Sequence, residues 1–380
     1  MWTSPPLSRF SIPLSVLDFS PICEGGDSTD ALESTIRLAQ LAEALGFSRY
    51  WLGEHHVAGG VAGVAPHSLA PIIAARTKTI RIGTAASIVP HYFPAQILEF
   101  AGVFSSLFPR LDLGLARGHV VAAAQRTSAS ANPPIADRIL EGLVFPAPAA
   151  PLPHGPDYVH PLLSGVVQMR PEVNFEVEVR GILDLASKHA GGQIVEPGLP
   201  FHFPGLTLWL HGTNPGASPR LAGGLGLPYS ANYHFSGSRL LENLADYRKS
   251  FVPSAALQHP HVVVSADVIV APSDQEAEGI RATYARRTLD LKSGRGLTPL
   301  ASGETLRSFH WSDADRLAVR DKLQTQIVGT ADHVVDRLQA LVRIANADEL
   351  LITSVAHRYE DRARSYELLA EAWVARPADL

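Results

Sequence analysis

A closed (β/α)8 barrel, the TIM-barrel architecture, is the fold class this sequence predicts, on three observations. Eight segments read as buried strands, helical patterns stand between most of them, and the two longest interruptions each follow a strand, the fourth and the seventh. Eight strands suit a closed barrel better than an open doubly wound sheet. In such barrels the loops at the C-terminal strand ends build the active site, so long excursions there read as functional lids. The expectation is one barrel domain over residues 1–380, with excursions at about 119–205 and 286–326.

Taken in order, FSIPLSVLDFS (Phe10–Ser20) reads as the first strand. Asp30 to Leu45 then carries apolar residues at helical spacing, and Gly46 is its stop signal. SRYWLGE (Ser48–Glu54) is the second strand, followed by a helix at Pro66–Arg76, a third strand at Thr79–Val89, a helix at Pro94–Leu107 and a fourth strand at Arg110–Gly118. Residues 119–205 include PPIADRILEGLVFPAPAAPLPHGPDYVHP, too rich in proline for regular helix or central strand, and only Glu172–Lys188 there reads as helical. The alternation resumes with Leu206–Gly212, a helix near Ser218–Leu225, and strands at Leu227–His234 and His261–Ala271. Arg286–Gln326 reads as a second irregular excursion before a helix at Ala331–Ile344 and a last strand at Asp348–Val355.

Composition narrows the function classes. With 46% hydrophobic and 18% charged residues the chain is globular, and a net charge of −5 argues against a nucleic-acid or anionic-membrane surface as its main partner. The single Cys23 leaves no internal disulfide to form, and no apolar stretch reaches the roughly 18 residues of a membrane helix. The opening MWTSPPLSRFSIPLSV lacks a basic-led apolar run. A soluble, cytoplasmic protein is the expectation.

Chemistry gathers at four strand ends. Glu54-His55-His56 closes the second strand, where three ionisable groups in a row require partners if buried. Neighbouring side chains on a strand point to opposite faces, so the two histidines cannot both face one centre unless the strand has ended. That weakens a zinc site, E-H-H is not H-E-x-x-H, and no metal is expected. One histidine for proton transfer and one for support is the preferred reading; a hydrogen-bonded structural pair is the alternative. Thr84-Ala85-Ala86-Ser87 on the third strand leaves room beside the barrel axis. Arg117-Gly118 ends the fourth strand, and HGTNPGAS (His211–Ser218) ends the fifth. Glycines that admit backbone N–H groups, the donors Thr213, Asn214 and Ser218, a following helix N-terminus and the Arg117 fork together suit a phosphate. Taken singly, the segment is a turn and the arginine a surface ion-pair partner. The chain has no G-x-S-x-G elbow, no Walker A loop and no dinucleotide fingerprint.

These residues in this order resemble the bacterial luciferase-like family of flavin-dependent monooxygenases. The strings that carry the likeness are LSVLDFSPICEGG, ALESTIRLAQLAEALGFSRYWLGEHH, IRIGTAASIVPHYFPAQILEF and LDLGLARG in the first half, with GLGLPYSANYHFSG, YRKSFVPS and DELLITSVAHRYEDRARSYELLAEA in the second. The resemblance implies a (β/α)8 barrel, His55 as catalytic histidine, and Glu54 and His56 as its supports. It makes Ala85-Ala86 a non-prolyl cis peptide under the flavin ring, and Arg117 the phosphate arginine, aided by Ser218 with Thr213 or Asn214. Arg138 or Arg170 would serve as a second arginine, and Asn232, His234 and Phe235 would line a substrate pocket. It further implies FMN, reduced by a separate flavin reductase, O2 as co-substrate activated as a flavin C4a-(hydro)peroxide, a small organic substrate, and a homodimer. Relatives that use F420 for hydride transfer, and a non-catalytic flavin binder, stand as the alternatives.

Overall fold

The computed structural model describes residues 10–118, 136–147, 170, 173–189 and 199–376. Eight strands form the barrel: β1 (Leu14–Asp18), β2 (Arg49–Leu52), β3 (Arg81–Ile88), β4 (Leu111–Ala116), β5 (Thr207–Gly212), β6 (Tyr229–Asn232), β7 (Val262–Val270) and β8 (Glu349–Thr353). Each is parallel to its neighbours. β8 pairs with β1, and β6 pairs with β7, which closes the ring. A short strand at Ile327–Gly329 is added alongside the end of β7. Parallel strands in a ring put every C-terminal end at one mouth, so Glu54, Arg117 and His211 share that mouth with no further assumption.

Helices form where the local signals place them. Asp27 caps α1 (Ser28–Leu45) in a reciprocal capping box with Asp30, and Gly46 ends it in the left-handed conformation. α2 (Pro66–Arg76) and α3 (Pro94–Leu107) both start on proline, whose missing N–H costs nothing in a first turn. α4 (Phe175–His189) matches the one helical stretch read inside the first excursion, most of which lies outside the described residues. α5 (Ala217–Gly224) and α6 (Leu240–Ser250) follow β5 and β6.

The reading of Arg286–Gln326 as irregular is corrected. α7 (Asp274–Lys292) runs well into it, and two further helices, α8 (Gly303–Ser308) and α9 (Asp313–Thr325), fill much of the rest. Ser302 and Ser312 cap these two helices by accepting backbone N–H groups, and Ser312 completes a capping box with Asp315. The low apolar content of this stretch hides a helical period that its caps declare. α10 (Ala331–Ala345) and α11 (Tyr359–Ala375) close the chain's description.

Inside the ring the side chains form layers. At the N-terminal end lies a fully buried charge lattice: Arg49 Nη1 donates to Asp112 Oδ2 at 2.7 Å and its Nε to both oxygens of Glu349 at 3.1 Å. Arg81 Nε donates to Asp112 Oδ1 at 2.8 Å, Trp51 Nε1 to Asp112 Oδ2 at 3.0 Å, and Ser15 Oγ to Glu349. Above it Leu17, Trp51, Trp209, Val263 and Leu351 make an apolar layer, with Phe19 and Ala85 packed on top. A larger core between the strands and the surrounding helices holds most other buried apolar residues. Among the described residues no helix is long and apolar enough to cross a membrane.

Candidate active site

Strand phase decides what faces the mouth. Arg49 and Trp51 of β2 point into the barrel, so the next residue in phase past Gly53 is His55. Its ring meets the edge of Phe19 at 5.2 Å between centroids, and its backbone N–H donates to the Gly63 carbonyl at 3.2 Å. His55 Nδ1 is buried without a hydrogen-bond partner. Burial, and then the charge of Arg287, hold its pKa down to about 4, so the imidazole is neutral at neutral pH. A neutral ring with a free nitrogen can accept or donate one proton at a reacting atom.

Glu54 takes the opposite phase and is 5% exposed. Its Oε1 accepts from His56 Nε2 at 2.7 Å and from His91 Nδ1 at 3.0 Å, and its Oε2 accepts the Ile88 N–H at 3.1 Å. Burial pushes this carboxyl up, but the three hydrogen bonds outweigh it and hold the pKa below the ordinary value. Glu54 thus ties the end of β2 to the turn after β3 and places His55. His56 is turned toward Glu54 and meets His91 at 4.7 Å between centroids, as a support would. The three groups are close enough to ligate an ion, yet the carboxylate oxygen nearest both rings is already their shared hydrogen-bond acceptor.

The Ala85–Ala86 peptide bond is cis, as the resemblance implies. Beside it a polar chain runs from His67 Nε2 to Ser87 Oγ at 2.7 Å, on to Thr84 Oγ1 at 3.0 Å, and to the Gly114 carbonyl at 3.0 Å. His67 stacks on Phe100 at 4.2 Å. His67 and His91 were not singled out in the sequence. Each comes from an element that gains meaning only when β2 and β3 pair, although VPHYFP directly after a strand end is a signal of the same kind as EHH.

Arg117 is exposed at the end of β4 and has no hydrogen-bond or ion-pair partner among the described residues. It lines a cavity of about 490 Å³ together with Asn174 and Arg180 of the α4 region and Ala217 and Arg220 of α5. The end of β4 and the start of α5 share this cavity, whose lining does not include the expected Thr213, Asn214 or Ser218. α5 has no side-chain cap, which leaves N–H groups of its first turn free, but the Gly216 N–H is taken by Asp246 Oδ2 at 2.7 Å. Ser218 is buried near Gly212, and Thr213 is half-buried in phase with Trp209 and His211, whereas Asn214 is exposed. Arg138 and Arg170 stand elsewhere. Arg138 faces Glu242 at 3.8 Å, and Arg170 is bound to Glu178 at 2.9 Å and to the Tyr92 carbonyl; the other arginines lining the cavity with Arg117 are Arg180, paired with Glu176 at 2.8 Å, and Arg220, 3.4 Å from Asp246.

Of the three pocket residues, Asn232 and His234 converge on Ser265: the hydroxyl donates to Asn232 Oδ1 at 2.8 Å and lies 2.9 Å from His234 Nδ1. Phe235 is exposed and covered by Lys322, whose Nζ stands 4.3 Å above its ring. Over the other side of the mouth, residues of the connection after β7 pair with the loops after β1 and β2. The Gly60 N–H donates to the Leu297 carbonyl at 2.6 Å, Leu300 N–H to Ile22 at 2.9 Å, and Glu24 N–H to Leu300 at 2.9 Å. Gly60 is needed there, because a Cβ would overlap the Thr298 carbonyl.

Comparison with known proteins shows the family. The model of the luciferase-like monooxygenase family matches residues 14–347. The chain is 32% identical to the uncharacterised protein YvbT of Bacillus subtilis, covering 96% of this chain and 97% of that one. It is 29% identical to a luciferase-like monooxygenase of Escherichia coli K12, covering 94% and 96%. Among solved structures apo-MsnO8 superposes with a TM-score of 0.74 at 26% identity, covering 97% and 99%. The fold alone is shared with the oxygenating constituent of 3,6-diketocamphane monooxygenase in complex with FMN (TM-score 0.62, 16% identity, covering 96% and 99%) and with an F420-dependent secondary alcohol dehydrogenase (0.59, 12%, covering 95% and 99%). The chain belongs to the luciferase-like monooxygenase family and is a flavin-dependent oxidoreductase of that class.

Proposed function

We propose that this protein is the oxygenating component of a two-component monooxygenase, that it takes FMN reduced by a separate reductase, and that it transfers one atom of O2 to a small organic substrate. The observation that carries the reading is His55: a neutral imidazole with an unpartnered nitrogen, in phase above an apolar tryptophan layer. The residues fit FMN. Arg117 offers a guanidinium without a partner and the uncapped α5 lies across the same cavity, while Arg180 and Arg220 there are already paired with Glu176 and Asp246. The small side chains of Ala85 and Ala86 toward the end of β3 leave room beside the mouth for a flat ring, and a protein that shares this fold is known in complex with FMN.

Bound there, reduced FMN supplies the electrons that activate dioxygen. The protein's own part is to hold and exclude. His55 holds or moves a proton through its free ring nitrogen, Glu54 fixes the strand that carries it, and the strap formed by residues 297–302 across the β1 and β2 loops keeps water from the mouth. Anaerobic titration with reduced FMN and with reduced F420, followed by admission of air, tests the reading. Micromolar or tighter FMN binding and oxygen consumption that transfers oxygen to substrate are expected. Retention of F420 in preference to FMN, or FMN binding with no oxygen reaction, would overturn it in favour of hydride transfer or flavin storage.

A further inference from the structure

The cation whose charge acts most strongly on His55 makes no ion pair with a carboxylate among the described residues. Arg287 is among the buried residues of α7, with Thr283, Ala285 and Thr288, and is 9% exposed. Among the described residues no carboxylate oxygen comes within 4.0 Å of it and no hydrogen bond is made by it. Thr283, one turn earlier on α7, donates to the Ala301 carbonyl at 2.9 Å, and the neighbouring Leu300 N–H donates to Ile22 at 2.9 Å, so this part of α7 is tied to the loop after β1. The charge of Arg287 is the strongest acting on His55 and is felt by Cys23 and by Asp267.

The local carboxylates are committed elsewhere. Asp18 holds Arg362 and accepts from Thr35 at 2.7 Å and from Tyr50. Asp290, one turn along α7, holds Arg286 at 3.1 Å, Thr298 at 2.8 Å and Arg295. Glu54 is shared by two histidines. Asp267 accepts Gln326 Nε2 at 3.0 Å, and burial raises its carboxyl to about 7, so near neutrality it is only partly charged. A buried guanidinium without an anion is costly, and a binding site is where that cost is returned when a ligand arrives. The ring and phosphate positions assigned to FMN lie on β3, β4 and α5, on the far side of His55 from α7.

We propose that Arg287 anchors the substrate by its acid group: the substrate is a small organic anion, carboxylate or sulfonate, whose oxidisable end lies against His55 while its charge pairs with the guanidinium. This deepens the monooxygenase reading and rests on it for the orientation alone. A planar fork suits such a group in bidentate geometry, and lysine there would replace it only in part.

Calorimetric binding of 3-phenylpropanoate and of the isosteric 3-phenylpropanamide, to wild type, Arg287→Met and Arg287→Lys, with and without FMN, tests it. Wild type is expected to bind the acid at least tenfold tighter than the amide. Arg287→Met should erase that preference, Arg287→Lys should keep part of it, and FMN affinity should stay within about twofold throughout. Without ligand, Arg287→Met should melt no lower than wild type, because it removes an unpaired buried charge and keeps the aliphatic stem. Acid and amide bound alike by wild type, or neither bound, would overturn the proposal. So would an Arg287→Met protein that loses FMN tenfold while the acid preference survives, since the arginine would then serve the flavin. A wild type that takes no FMN yet keeps an Arg287-dependent acid preference sinks the cofactor reading and leaves the anchor standing.

Discussion

At the residue scale, the proposed function gives His55 the chemistry and Arg117 the binding. His55→Asn removes the neutral imidazole and leaves the cavity beside Arg117 intact. FMN affinity should stay within about twofold, while the ratio of oxygenated product to released hydrogen peroxide falls by about a hundredfold, the usual weight of a positioned acid or base. Arg117→Ala should act in reverse, weakening FMN by about tenfold to a hundredfold, which is what one charge-assisted contact contributes. Product and peroxide quantified per oxygen consumed, beside a flavin fluorescence titration, check both. His55 was named through the family resemblance, since strand alternation separates the two histidines without saying which faces the mouth. Arg287, His67 and His91 were not named, since each arrives from another element, and a sequence does not state which helix residue meets which strand end.

At the element scale, the strap after β7 is held by backbone hydrogen bonds at 297–302 and by the Glu24 carboxylate, which accepts the Ser302 N–H at 2.7 Å and the Thr305 hydroxyl at 2.8 Å. Gly60→Ala forces a Cβ against the Thr298 carbonyl and should lower stability by about 1–3 kcal/mol. It should also raise peroxide release at constant FMN affinity, because a lifted strap admits water. Urea unfolding and limited proteolysis at 294–302 measure the two effects. Strands and the helices that follow them were readable because apolar periodicity marks them directly. α8 and α9 were read as irregular because their faces are largely polar, and α6, α7 and α11 lie in stretches where charged residues blur the apolar stripe.

At the scale of the whole molecule, the charge lattice at the closed end and the histidines at the open end set how the fold responds to mutation and acid. Arg49→Met removes the buried cation paired with Glu349 and leaves Asp112 to Arg81 and Trp51, and should cost about 3–5 kcal/mol in urea unfolding. Burial holds His55, His67 and His234 down to about 4 and His211 and His261 to about 3. Below pH ~6.5 the unfolded chain binds protons on these rings. The folded chain does not until about 4 or lower, so unfolding takes up protons and stability falls as pH drops through that window. Asp267, raised to about 7, and Glu349, also raised by burial, work in the opposite direction, but fewer groups do so. The urea midpoint should therefore decline from pH 6.5 toward 4, and a midpoint that rises over that range would reverse the sign assigned to the histidines.

The seat of the flavin phosphate is tested most directly by the ratio of FMN to riboflavin affinity, measured under reducing conditions for wild type and Arg117→Ala. The two ligands differ by the phosphate alone, so wild type should prefer FMN by at least tenfold, and the substitution should bring the ratio close to one while riboflavin binds as before. A ratio unchanged by the loss of the guanidinium would place the phosphate away from β4 and contradict the site as built here.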